Sequence, residues 1–421
     1  MIEEKIENFY TKSTVFKNAF WLYLGFALNK FLKVIIIILS ARILGPENYG
    51  AFNYALSFLG LFFLITDWGV SSLVIRDYQQ KREKEKIVKS AFSFKFLLIL
   101  LYSILAIGGY FVLNNENVKS VYFILLIMQI LIVFREFLNV LFKAIQRMEY
   151  ESITIAIEST VILLVVITLV SKFPSVVNLG IAYFLGALVS LLFIYLSAFR
   201  FSFIKKLAFS FSKENLIYYI KNGTPLMLYG FLGFIFFSVD HLIIGNFRGM
   251  YELGLYSIAT KIVLNLNLIP NIAMIALLPY LSFYVFDKEK LYKIYKKALL
   301  GIILISLIII ILVNIFIEPL VKILLGPKYF LSIPIIKFLV WTIIFLFPLI
   351  LLDNIIFVFN KQWLNFYLTI GAALLNLVLN IILVPIYGIS GAIFATLVSQ
   401  SLNFLISYYI VEKIIFNSCL F

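Results

Sequence analysis

Several ionisable side chains, the only histidine among them, lie inside long apolar stretches of this 421-residue chain. An ionisable group there is costly unless it meets a partner, water or a ligand, so each is a candidate for function. Asn29, Lys30 and Lys33 fall near the middle of the first stretch, and the two lysines share a helix face at i, i+3. Two ammonium groups so placed suit an anionic ligand such as a phosphate; the competing reading is that they snorkel to the headgroups. Arg135 and Asn139 stand at i, i+4 with Glu136 adjacent. The Arg135 guanidinium either offers a planar fork to a phosphate or is neutralised by an acid on another helix. Lys261 and Asn265 share a face, as do Asn267 and Asn271, and Pro270 interrupts that stretch. The acids Asp67, Glu158, Asp240 and Asp353 read as buried, each either binding H⁺ or Na⁺ or pairing with one of the cations. His241, the only histidine, is next to Asp240, which makes a titratable pair conceivable. In the final stretch Thr396, Gln400, Asn403 and Ser407 form an uncharged polar stripe facing a cavity or another helix.

Other chemistries find no residues. There is no Gly-x-x-x-x-Gly-Lys-Ser/Thr loop for ATP, no Cys/His cluster for a metal and no Ser/His/Asp constellation on a loop. No cofactor, no metal and no enzymatic activity are therefore expected. Cys419 is the single cysteine, so no intrachain disulfide can form.

The elements that hold these residues are set by composition. Hydrophobic residues make up 63% and charged residues 13% of the chain, with mean hydropathy +1.05. A soluble domain is usually about 45–50% apolar and about 25% charged. Apolar runs of roughly twenty residues match the length of a helix across a bilayer, and they are too long and too continuous for barrel strands. The reading is an all-α polytopic membrane protein with about twelve spans: 17–41, 49–70, 90–113, 118–142, 152–171, 176–199, 222–246, 253–284, 298–317, 332–358, 363–387 and 390–412. The first reads as a retained signal anchor rather than a cleaved signal peptide. With the N-terminus inside, the cytoplasmic segments hold 23 Lys and Arg, the external loops six, and six fall within or at the edges of spans. That bias places both termini in the cytoplasm, and it accounts for the net charge of +14 without nucleic acid. External loops of about ten residues or fewer leave no room for a catalytic domain.

The chain also repeats itself. Ile43-Leu44-Gly45-Pro46-Glu47-Asn48-Tyr49-Gly50 through Ala55 parallels Phe247 through Ala259, with Gly45 on Gly249, Gly50 on Gly254 and Ala55 on Ala259, all 204 residues apart. Gly180 to Ser190 echoes Gly388 to Ser399 with one residue inserted. Two six-helix lobes related by a pseudo-two-fold along the membrane normal follow: 1–199, then a basic cytoplasmic linker 200–221, then 222–421. The linker interleaves Arg200, Lys205, Lys206, Lys213 and Lys221 with Phe201, Phe203, Phe209 and Phe211, a pattern suited to the headgroup level.

The stretch Ala41-Arg42-Ile43-Leu44-Gly45-Pro46-Glu47-Asn48-Tyr49-Gly50 resembles the hallmark of polysaccharide-biosynthesis membrane proteins, the Wzx-type flippases. These share a superfamily with MATE exporters and lipid II flippases. The resemblance continues through Asp67-Trp68-Gly69-Val70, Lys143-Ala144-Ile145-Gln146-Arg147, Leu325-Gly326-Pro327-Lys328-Tyr329 and Pro385-Ile386-Tyr387-Gly388. It implies two lobes around a cavity that opens alternately to each side of the cell membrane. The implied cargo is an oligosaccharide on a polyprenyl phosphate or diphosphate, moved from the cytoplasmic to the outer leaflet, with glycan polymerases or transferases as neighbours. Lys30, Lys33, Arg135 and Lys261 would then meet the phosphate. The alternative is a MATE-like exporter of organic cations; the lysines of the first span, where such exporters often carry an acid, favour an anionic cargo.

Overall fold

A computed structural model of the chain describes residues 12–80, 83–203 and 207–416. The extreme N-terminus, Lys205, Lys206 and Cys419 lie outside the described residues. Every regular element among those described is helical.

The helical stretch Lys12–Phe63 is broken at Gly45 (φ 77°, ψ 172°) into α1 (12–44) and α2 (46–63). A short 3₁₀ turn, Leu64–Thr66, leads to α3 (Val70–Gln80), α4 (Lys84–Tyr110) and α5 (Glu116–Ala144). α6 (Glu149–Val165) ends in a π turn and is followed by α7 (Val176–Arg200). The second half has α8 (Lys213–Arg248), α9 (Met250–Leu266), α10 (Leu268–Phe283), α11 (Lys288–Leu324), α12 (Ser332–Leu339), α13 (Ile343–Val358), α14 (Gln362–Tyr387) and α15 (Ile389–Tyr409).

Ten stretches among the described residues are long and apolar enough to cross a membrane. The first, Ala27–Gln80, contains the two spans that Gly45 separates. With α8 supplying the seventh, the twelve apolar stretches of the sequence all have helices. The eighth is α9 plus α10, broken at Asn267 just ahead of Pro270. A proline ring collides with the carbonyl four residues back, here Leu266, where α9 stops. The tenth is α12 plus α13.

The chain forms two compact units. One takes residues up to Leu44 and Phe58–Gly230; the other takes Gly45–Ser57 and Phe231–Phe421. In the first, α5 packs on α3 and α7, and α6 on α7. At one end Val74, Phe94, Leu98, Leu141, Phe142, Ile194 and Ala198 close a core. The chain after α7 docks on this core. Phe203 is buried, Phe209 lies 5.0 Å from Phe96, and Ser210 N–H donates to Ser93 Oγ at 2.7 Å. In the second unit α14 packs on α15, α9 on α12, and α13 on α11 and α15. α11 exposes Leu304, Ile308, Ile311 and Ile315 along one face while Ile302, Ser306, Ile310 and Ile317 are buried. A helix apolar on both faces, with one left uncovered, is what lipid contact requires.

The internal repeat is visible in the backbone. Gly249 (φ 88°, ψ 174°) repeats the conformation of Gly45, which side chains disfavour. The same repeat packs against itself within the second unit. A Cβ on Gly50 would fall 1.8 Å from the Met250 carbonyl oxygen, and one on Gly254 1.9 Å from that of Pro46. Position 46 corresponds to 250 and position 50 to 254, so the contact is reciprocal, as a two-fold relation demands. Gly50→Val and Gly254→Val are each expected to destabilise by about 1–3 kcal/mol through overpacking. Because both open one crossing, the double variant should cost clearly less than the two single costs combined. A thermal-unfolding double-mutant cycle showing simple additivity would contradict the shared crossing.

Candidate functional site

In the first unit α1 lies along α6. Ser152 Oγ donates to the Trp21 carbonyl at 2.7 Å, a Cβ on Gly25 would meet Ser152, and Ser159 Oγ donates to Asn29 Oδ1. Trp21, Gly25 and Asn29 recur every four residues, one face of a helix. Lys33 continues that stripe and Lys30 stands beside it. Asn29 is thereby committed to α6, whereas Lys30 and Lys33 are exposed and have no carboxylate partner among the described residues. Lys33 is eleven residues from the end of α1 at Leu44, about 16 Å along the axis and near half the thickness of a hydrocarbon core. That depth is far for a lysine to reach headgroups.

Arg135 on α5 is 5% exposed and fully engaged. Nη1 meets Glu158 Oε1 on α6 at 2.7 Å, Nη2 meets Glu136 Oε1 at 2.8 Å, and Nη1 donates to Ser190 Oγ on α7 at 3.3 Å. Of the two readings open from the sequence, neutralisation by an acid on another helix is the arrangement found. Asp67 departs from its reading as a buried acid. It follows the 3₁₀ turn, with a side chain 47% exposed, and accepts from Lys95 Nζ at 2.7 Å and from Ser71. The apolar run 49–70 extends past the helix end at Phe63, and this misplaced Asp67. Lys143 and Glu151 form a further pair at 2.7 Å.

In the second unit Asp240 and His241 are sequence neighbours on α8 that look different ways, as residues one step apart on a helix do. Asp240 is buried and accepts from Tyr256 Oη at 2.8 Å, Asn380 Nδ2 at 2.9 Å and Thr396 Oγ1 at 3.4 Å. His241 Nδ1 is 3.3 Å from Ser57 Oγ and Nε2 is 3.3 Å from Thr260 Oγ1. Each has its own partners, so they do not form the titratable pair that adjacency suggested. Asp240, Tyr256, Thr260, Thr396 and Gln400 line a cavity of about 40 Å³, and the Gln400 and Asn380 carbonyl oxygens have no partner among the described residues. Thr396 and Gln400 of the polar stripe therefore face this cavity. Asp353 is half-buried on α13, and its carboxylate meets no cation among the described residues.

Lys261 on α9 donates to Tyr49 Oη at 2.8 Å and to Asn53 Oδ1, and its ammonium lies 4.8 Å from the Tyr49 ring centroid. These partners are neutral, so the charge is held in place without being cancelled. Asn265 returns its Nδ2 to the Lys261 carbonyl at 2.8 Å.

Sequence reasoning missed Asn376 and Asn380; Asn380 Nδ2 donates both to Asn376 Oδ1 and to Asp240 Oδ1. Their signal was present: two amides at i, i+4 in the otherwise apolar run 363–387. Tyr49 and Asn53 were noted for the repeat and not as holders of Lys261.

Residues 15–285 match the sequence model of a family described as polysaccharide biosynthesis protein. A capsular polysaccharide biosynthesis protein of Staphylococcus aureus is 22% identical over 409 residues, covering 95% of this chain and all of that protein. Among solved structures, the lipid II flippase MurJ in an inward closed conformation superposes with a TM-score of 0.77 at 16% identity, covering 93% of this chain and 87% of that one. An inward-facing multidrug resistance MATE transporter gives 0.72 at 17% identity, covering 91% and 94%. At these identities the structural likeness is one of fold.

Proposed function

The chain belongs to the polysaccharide biosynthesis protein family, and on that premise we propose that it is a flippase for a polyprenyl-phosphate- or diphosphate-linked oligosaccharide. It moves this lipid from the cytoplasmic to the outer leaflet of the cell membrane by alternating access, with both termini in the cytoplasm. The observation that carries this reading is the unequal treatment of cations. Lys95, Arg135 and Lys143 each face a carboxylate, but Lys30, Lys33 and Lys261 face none among the described residues. A cation left uncompensated at membrane depth is costly unless an anion visits it. A lipid phosphate is such an anion, and it needs a wet, cationic path because a bare one does not cross hydrocarbon.

Asp240, in its small cavity of neutral donors, and Asp353 are acids of the apolar stretches that meet no cation among the described residues, and they are the proposed sites of H⁺ or Na⁺ coupling. Membrane lipids hold the polyprenyl tail, and glycan polymerases or transferases are the proposed partners on either side of the step.

Binding tests the reading directly. Polyprenyl diphosphate should raise the thermal midpoint of the purified protein, and unphosphorylated polyprenol should not. Lys261→Met should weaken the diphosphate response about ten- to hundredfold, the worth of one charge-assisted bond. Equal responses to both lipids would contradict phosphate recognition.

A further inference from the structure

Where the chain returns from α7, the first unit leaves a cavity that none of the candidate residues above lines. Phe209 on Phe96 and the Ser210–Ser93 bond pin the returning segment to α4. That brings the first turns of α8 across the end of α3 and the start of α4. The space between the three helices is about 620 Å³, inside the usual range for small-ligand sites of about 300–1,000 Å³.

Its floor is polar and buried. Ser90 on α4 is 6% exposed, and Asp77 on α3 and Tyr219 on α8 are 2% exposed. Tyr219 lies flat on Phe94, ring centroids 5.3 Å apart at 13°, with its Oη 3.3 Å from Ser90 Oγ. Asp77 accepts from Arg76 Nε at 3.1 Å and from Tyr218 Oη, which fixes the carboxylate and the Tyr218 wall together. Tyr218 is half-buried and Ile87 adds an apolar surface. Glu83, Lys86, Glu214 and Asn215 form the rim.

The groups around this space select their ligand. Hydroxyls donate and accept, carboxylates accept, the Asn215 amide does both, and the Lys86 ammonium donates. An apolar tail would strand every one of them. A phosphate only accepts, and here it would meet three carboxylates. The Lys86 charge is already answered by Glu83 at 3.2 Å and the Arg76 charge by Asp77, while Glu214 has no ion-pair partner among the described residues. A bare ammonium only donates, and would leave the amide, lysine and hydroxyl donors unused. A ring that carries closely spaced hydroxyls satisfies both senses at once, and its C–H face can rest on the Tyr218 ring. An uncharged sugar has this chemistry.

We propose that this cavity binds uncharged sugar residues of the glycan before transfer, at the end where the cargo is loaded. The charge bias predicts that end to be cytoplasmic, since segments 76–89 and 200–221 hold six and five Lys and Arg. The inference rests on the flippase reading for the source of its ligand, and it narrows that reading: sugars bearing carboxylates fit poorly beside Glu214.

Saturation-transfer NMR tests it on the full-length protein in nanodiscs, with no lipid carrier present. The probes are three neutral disaccharides, cellobiose, chitobiose and lactose, each with its uronic-acid analogue. Saturable contact with at least one neutral sugar is expected, and its acidic analogue should bind about tenfold or more weakly. Ser90→Leu, which fills the floor, should abolish the contact. Glu214→Ala should weaken it about tenfold, the worth of one hydrogen bond to a charged group. Glu214→Gln should narrow the gap between neutral and acidic sugar, a change of preference that altered packing alone does not produce. If Ser90→Leu does not fold, the two Glu214 variants, at an exposed rim position, decide the matter in its place. No saturable contact with any neutral sugar, contact that survives in folded Ser90→Leu, or an unchanged preference in Glu214→Gln would overturn the proposal. A protein that binds sugar this way but transfers no glycolipid would refute the flippase reading and leave the sugar site standing; transfer without sugar binding would do the reverse.

Discussion

Replacing Lys30 and Lys33 together by glutamine is expected to abolish transfer of a phosphate-bearing glycolipid while leaving the protein folded. Each hydrogen bond to a charged group is worth about 1.5–3 kcal/mol, so two lysines on one phosphate supply about 3–6 kcal/mol, or about 10²–10⁴ in affinity or rate. Stability should hold or rise, because both side chains are exposed and lack an ion-pair partner among the described residues. Losing them removes uncompensated charge from membrane depth. The single variants should fall between wild type and double. Initial rates in proteoliposomes and the thermal midpoint, measured on the same preparation, check both halves. A fully active double variant would remove the lysines from the mechanism.

Arg135→Leu should do the opposite, costing folded protein before it costs anything specific to transport. It strands Glu136 and Glu158 without their guanidinium, and breaking a buried pair by removing one partner costs about 3–5 kcal/mol. Arg135→Lys should rescue only in part, since one ammonium cannot serve both carboxylates and Ser190 in the planar geometry seen here. Replacing Arg135, Glu136 and Glu158 together by methionine should recover most of the stability, because an apolar core of similar volume needs no compensation. Yield and thermal midpoint in detergent measure this. An Arg135→Leu variant of normal stability that fails only in transfer would put Arg135 back among the residues that touch cargo.

Hydropathy made the spans legible because lipid imposes length and composition together. The repeat was legible because Gly45 and Gly249 must both adopt a backbone that other residues disfavour, so evolution had little choice of residue there. Pro270 announced the break that falls at Asn267. What the sequence did not carry was rotation. The spacing of Arg135 and Asn139 defines a face, but the partner on that face depends on how α5 is turned toward α6, which no local rule sets. Asp67 is paired, as one of its two readings had it, but with Lys95 and half-exposed, because apolar residues run on beyond the helix that ends at Phe63. Asp240 and His241, a pair that adjacency made conceivable, have separate partners because adjacent residues on a helix point about 100° apart. Asn376 and Asn380 were overlooked because amides carry no charge and barely disturb a hydropathy profile.

The most direct test of the proposed function is transfer itself. Full-length protein in proteoliposomes is given a polyprenyl-diphosphate oligosaccharide in one leaflet, and an impermeant glycosidase reads its arrival in the other, with and without imposed H⁺ and Na⁺ gradients. A flippase of this kind gives protein-dependent arrival that is lost in the Lys30→Gln/Lys33→Gln protein. No transfer by folded wild-type protein under gradients of either sign, together with efflux of organic cations from the same vesicles, would contradict it.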